Sequence, residues 1–102
     1  RARSARLPAR KLWIAFALGS SGSLTVDEGA RTALTERGRS LLAAGVTGVT
    51  GAFRPEDAVE IAGPDGRVFA KGLVRLAADR APEWMGRRSQ VVVHRDDLVL
   101  VT

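Results

Sequence analysis

Two alternating apolar runs flank Gly63-Pro64-Asp65-Gly66, the sharpest turn signal in the chain. Proline presets a backbone dihedral, aspartate hydrogen-bonds its own main chain and glycine accepts a positive φ, so this tetrad reverses the chain within a few residues. Val59 and Ile61 before it, and Val68 and Ala70 after it, recur at every second position, the period of a strand with one buried face. The segment predicts a β-hairpin. A lone hairpin is at best marginal in water, so the rest of the chain has to supply strands that cover its apolar side.

The rest of the sequence has that texture. Short apolar runs at 46–50, 58–62, 67–76, 91–94 and 98–101 are separated by gaps that glycine or proline punctuates almost throughout. Leu12 to Leu18 is an aromatic and branched run stopped by Gly19-Ser20-Ser21-Gly22, which predicts a buried first strand ending in a turn. Gly72, inside the 67–76 run, predicts a bulge that bends a long strand. Only one stretch has helical spacing. Thr25 and Glu28 fit a capping box, with Asp27 a rival cap. Ala30, Ala33 and Leu34 then share one face, Arg31, Glu36 and Arg37 face water, and Gly38 offers a stop, which predicts a helix over 27–37. The fold class is therefore mainly β with one short helix, a small mixed barrel, and 102 residues suit a single domain.

The position of the charge decides which partners the sequence favours. The net charge is +5, yet Arg1, Arg3, Arg6, Arg10 and Lys11 carry five positive charges with no acid among them. The other 11 of the 16 basic residues equal the 11 acids, so residues 12–102 are formally neutral. With Pro8 and no core-facing period, residues 1–11 read as a basic flexible linker. The folded body thus lacks the general basic footprint of a nucleic-acid binder, and local patches must carry that function. There is no cysteine, which excludes disulfides, thiolate metal sites and cysteine nucleophiles. No apolar run approaches the ~18 residues that span a bilayer, which reads as a soluble, cytoplasmic protein without a membrane partner.

In order along the chain, WIAF (Trp13–Phe16), TVDEGA (Thr25–Ala30), SLLAAGV (Ser40–Val46), VTGAF (Val49–Phe53), PDGR (Pro64–Arg67), GRRSQ (Gly86–Gln90) and HRDDLVL (His94–Leu100) resemble the C-terminal PUA domain of bacterial glutamate 5-kinases. The resemblance covers nearly everything after Lys11 and implies a PUA domain at 12–102 with a PUA-like pseudobarrel of strands and a helix near one end. It also implies a parent enzyme that uses ATP and Mg²⁺ to phosphorylate the side-chain carboxylate of L-glutamate, the committed step of proline biosynthesis, with its kinase domain upstream and a homo-oligomer as its assembly. In the family, GRRSQ leads into a short helix and a connection before HRDDLVL. Here Gln90 is followed at once by Val91-Val92-Val93, so the helix after Ser89 is absent.

Catalytic constellations are missing. His94 is the single histidine and has no second one to complete a metal site, and neighbouring Asp96 and Asp97 fit the capping of a turn before Leu98. No GxGxxG opens a helix and no Walker-type GxxxxGK[ST] occurs, so the fragment itself has no cofactor, metal or catalytic residues to nominate. Trp13 belongs to an apolar strand and is expected in the core. The candidate contact residues for RNA or a protein partner are Arg37, Arg39, Ala44 and Gly45 at the junction after the helix, Trp84 in the polar stretch 80–86, and Arg87, Arg88 and Arg95. The resemblance favours the junction, because PUA domains generally approach RNA through the loop after the helix, where glycine lets backbone amides near phosphate. The same residues fit a plainer role, with Gly45 as a turn and Arg37 and Arg39 as helix-end cations. Two functions stay open: an accessory module of the kinase, and an RNA-binding module, including one from an RNA-modifying enzyme.

Overall fold

The computed structural model of the chain describes residues 21–85, 87 and 90–101. The expected strand at 12–18, the linker at 1–11, Trp13 and Arg88 lie outside the described residues.

The predicted hairpin forms. Strands β4 (Ala58–Ala62) and β5 (Val68–Leu73) pair antiparallel, the Gly66 amide donates to the Gly63 carbonyl at 2.9 Å, and Gly66 takes φ +84°. Asp65 supports the turn by accepting from the Arg67 amide at 3.1 Å. That hydrogen bond, with Arg31 and Arg67 nearby, holds the Asp65 carboxyl below its ordinary range.

A strand without a counterpart in the sequence reading lies beside the hairpin. β1 (Gly22–Val26) runs parallel to β4 on one side and antiparallel to β3 (Val46–Gly51) on the other. β7 (Leu98–Leu100) adds antiparallel to β5, giving a mixed five-stranded sheet in the order β3-β1-β4-β5-β7. A separate antiparallel pair joins β2 (Leu41–Leu42) to β6 (Val91–Val93). Gln90 leads straight into β6, as the shortened sequence requires. Leu24, Val26, Val59, Ile61, Phe53, Val92 and Val93 fill the core from these strands.

Gly72 does not make the bulge expected of it. It stays in register with Val59 on one side and Leu98 on the other. The shift in this hairpin falls between Ile61 and Ala62, which face Ala70 and Val68 and leave Phe69 as the extra residue. Gly72 is instead a point of close approach, where an added Cβ would come within 2.6 Å of Val93 Cγ1 and 2.8 Å of the Asp97 carbonyl oxygen. A bulge and a squeeze between layers leave the same mark in a sequence, a glycine inside a strand.

The helix is α1 (Glu28–Glu36), and its cap resolves the choice left open above. Asp27 is the N-cap, accepting from the Ala30 amide at 2.7 Å, while Thr25 belongs to β1. At the other end Gly38 takes φ +61°, and the amides of Arg37 and Arg39 both reach the Ala33 carbonyl at 3.2 Å. Leu34 alone in α1 is buried, with Ala30 and Ala33 half-covered. A second, four-residue helix α2 (Ala81–Trp84) follows a 3₁₀ turn at Ala78–Arg80, with Pro82 in its first turn, where a missing amide costs nothing.

Candidate RNA or partner interface

α1 and the segment that follows it are tied end to end. The Asp27 amide donates to the Gly45 carbonyl at 3.0 Å, so the 3₁₀ turn Ala43–Gly45 returns the chain to the start of the helix. Between them lies a cleft of about 270 Å³ lined by Ala30, Ala33, Arg39, Leu42, Ala44 and Gly45. Beyond Leu34 and Arg39 a second cleft of about 280 Å³ opens, lined also by Gly38, Arg95, Leu98 and Leu100. Leu42 and Leu100, each 42% exposed, put apolar surface beside these openings.

Of the residues singled out in the sequence, Arg39, Ala44 and Gly45 therefore share one cleft, and Arg39 and Arg95 share the next. Ser40, which the sequence reading passed over, connects them: its hydroxyl accepts from the Arg95 amide at 2.8 Å. The signals available were its place beside Arg39 and at the head of SLLAAGV. Arg37 is exposed at the helix C-cap and lines neither cleft. Trp84 is not the exposed contact expected. It is 4% exposed and its Nε1–H donates to the Ala77 carbonyl at 3.0 Å, so both the ring and its polar edge are satisfied inside the domain. Arg87 is exposed in a different cleft, with Leu76, Ala77 and Arg80.

His94 caps the turn at Arg95–Asp97. Its Nδ1 accepts from the Asp96 amide at 3.1 Å, which requires the neutral imidazole with its proton on Nε2. Asp96 Oδ2 lies 3.6 Å from the same nitrogen. Among the described residues no three His, Cys, Asp or Glu side chains gather closely enough to hold a metal. No helix among them is long and apolar enough to cross a membrane.

The sequence pattern of the PUA domain matches residues 22–95, from the first residue of β1 to the turn before β7. The chain belongs to the PUA domain family. This PUA domain is 44% identical to the glutamate 5-kinase of Mycobacterium leprae, over 98% of this chain and 29% of the relative. It is 43% identical to that of Syntrophotalea carbinolica, over 92% of this chain and 28% of the relative. The chain thus spans less than a third of the length of the curated relatives it matches. Among solved structures it is similar to a PUA domain from Aeropyrum pernix, with a TM-score of 0.61 and 26% identity over 72% of this chain and 41% of that one. A PUA domain protein from Thermoplasma acidophilum matches in fold, with a TM-score of 0.60 and 22% identity over 86% of this chain and 56% of that one. The mainly β fold with mixed strand directions is the one these PUA domains share.

Proposed function

We propose that this PUA domain is the accessory module of a glutamate 5-kinase and is itself non-catalytic. The observation that carries this is the 44% identity to the Mycobacterium leprae enzyme across 98% of the chain. On this reading residues 12–102 are the module and 1–11 the basic linker to an upstream kinase domain. The parent is a cytoplasmic, ATP- and Mg²⁺-dependent enzyme that phosphorylates the side chain of L-glutamate on the way to proline, and ATP and Mg²⁺ are held by the upstream domain. The module acts on the kinase through the organisation of a homo-oligomer or through the response to proline and Mg²⁺. The test is deletion of residues 12–102 from the full-length enzyme, with oligomeric state, turnover and proline inhibition measured side by side. A change in at least one is expected, and a truncated enzyme unchanged in all three overturns the reading.

A second reading, RNA binding, draws on the convergence of Arg39, Ala44 and Gly45 in one cleft with Arg95 beyond it. In this reading Arg39 and Arg95 hold phosphate and the backbone beside Gly45 lets it approach, while Arg37, Arg87 and Arg88 add peripheral charge. Filter binding over a salt series tests it, with and without residues 1–11, because phosphate contacts weaken steeply as salt rises. Binding that survives loss of the linker supports the reading, and binding that disappears with the linker refutes it.

A further inference from the structure

Three arginines that no motif connects converge on one cleft. Arg54 follows β3, Arg75 follows β5 and Arg80 closes the 3₁₀ turn, and with Phe53, Pro55 and Leu76 they line a cavity of about 650 Å³. That volume falls in the range of small-molecule sites, which runs from roughly 300 to 1,000 Å³. The walls are fixed by the main chain. The Ala78 amide donates to the Phe53 carbonyl at 2.9 Å, the Glu56 amide to the Val74 carbonyl at 2.7 Å and the Arg75 amide to the Val92 carbonyl at 2.7 Å. Phe53 is itself buried beneath the opening.

The lining itself carries three arginines against one acid, Asp79. The Arg54 and Arg75 side chains are exposed and form no ion pair among the described residues, while the Arg54 amide donates to Asp57 Oδ2 at 2.9 Å. Arg80 lies 3.4 Å from Glu83 Oε1, but both side chains are mostly in water, where such a pair is worth little. A guanidinium presents paired N–H groups to a phosphate, so two arginines lining one cleft supply donors for an oxyanion. On the other side of Arg75 a second cleft is lined by Glu56, Asp96 and Asp97. The exposed Glu56 and Asp96 there disfavour a polyanion that runs past Arg75, whereas a small ligand need not reach them.

We propose that this cleft binds a small phosphorylated molecule with a planar or apolar body, its phosphate on Arg54 and Arg75 and its body against Pro55 and Leu76. The site is separate from the clefts around Arg39 and does not depend on the kinase reading. The experiment is a titration of the ¹⁵N-labelled full chain with inorganic pyrophosphate and with adenosine diphosphate, read residue by residue so that binding to the basic segment at 1–11 is resolved from binding at the cleft. Both probes are expected to shift the amides of Phe53, Arg54 and residues 75–80, with the nucleotide the tighter. The R54A/R75A variant should bind at least about tenfold more weakly, the scale of losing charge-assisted hydrogen bonds, with an unchanged unfolding midpoint. The R31A variant, a charge loss at a residue that does not line the cleft, should bind as the parent chain does. The proposal falls if neither probe shifts the cleft, if the nucleotide binds no better than pyrophosphate, if R54A/R75A binds like the parent chain, or if a short single-stranded RNA occupies the cleft more tightly than the nucleotide.

Discussion

A Cβ added to Gly45 would stand 2.5 Å from the Cβ of Ala30, so the 3₁₀ turn and helix α1 already touch at the limit a backbone allows. Gly45 is thus fixed by packing, whatever else it contacts. Gly45→Ala should destabilise the domain by about 1–3 kcal/mol through overpacking. Urea unfolding measures this, and a variant as stable as the parent chain would show that α1 moves away freely.

Asp27 satisfies the first turn of α1 through the Ala30 amide. Asp27→Ala is expected to cost about 1 kcal/mol, with Asp27→Asn close to neutral, because either side-chain oxygen caps a helix. Thermal unfolding of the two variants separates the cap from any charge effect.

Trp84 is held in the core by its ring and by the bond to Ala77. Trp84→Ala should cost about 3–5 kcal/mol, and Trp84→Phe much less, roughly the hydrogen bond at ~1 kcal/mol plus a small volume loss. In a Trp13→Phe chain the remaining fluorescence should resist acrylamide. Quenching like that of free tryptophan would contradict the burial.

Glu56 has φ +79°, the one non-glycine residue in the left-handed region among those described. An L-residue there costs ~1–2 kcal/mol, and glycine removes that cost while adding ~0.5–1 kcal/mol of chain entropy. Glu56→Gly should therefore stabilise by about 0.5 kcal/mol and raise the melting midpoint by roughly 3 °C, while Glu56→Val should lower it. Calorimetry of both variants decides the sign.

Asp65 has its carboxyl held low chiefly by the Arg67 amide, helped by the charges of Arg31 and Arg67. A depressed folded-state pKa contributes stability above the unfolded-state value and loses it as pH falls through the folded-state value. The stability gap between the parent chain and Asp65→Asn should therefore be constant near neutrality and shrink in acid. A gap independent of pH across that range would remove the charge from the explanation.

The elements legible in the sequence are those whose cause is local. The 63–66 turn specifies the β4–β5 hairpin through its own residues, and Gly38 ends α1 by its own dihedral. β1 escaped because Leu24 and Val26, its two buried residues, alternate with Ser23 and Thr25 over a span too short to stand out, and because Thr25 with Glu28 imitates a capping box. The misplaced exposure of Trp84 has a similar origin. Its neighbours Arg80, Pro82 and Glu83 are exposed, two of them charged, while the indole joins the buried cluster and bonds Ala77 seven residues back. The three-arginine cleft draws on residues 54, 75 and 80, whose proximity exists only after β3 and β5 have been placed.

β1 lies between β3 and β4, and both neighbours come after it in the chain. During synthesis from the N-terminus, β1 precedes every other described strand; β3 can cover one of its edges once Gly51 is made, but the parallel edge has no partner until Ala62 has followed. Its β4-facing edge stays open for that interval, and closing it means joining residues far apart in sequence, the slow kind of contact in folding. Leu24 and Val26, wholly buried at the end, are for a time a short sticky segment that a neighbouring chain can reach before β4 does.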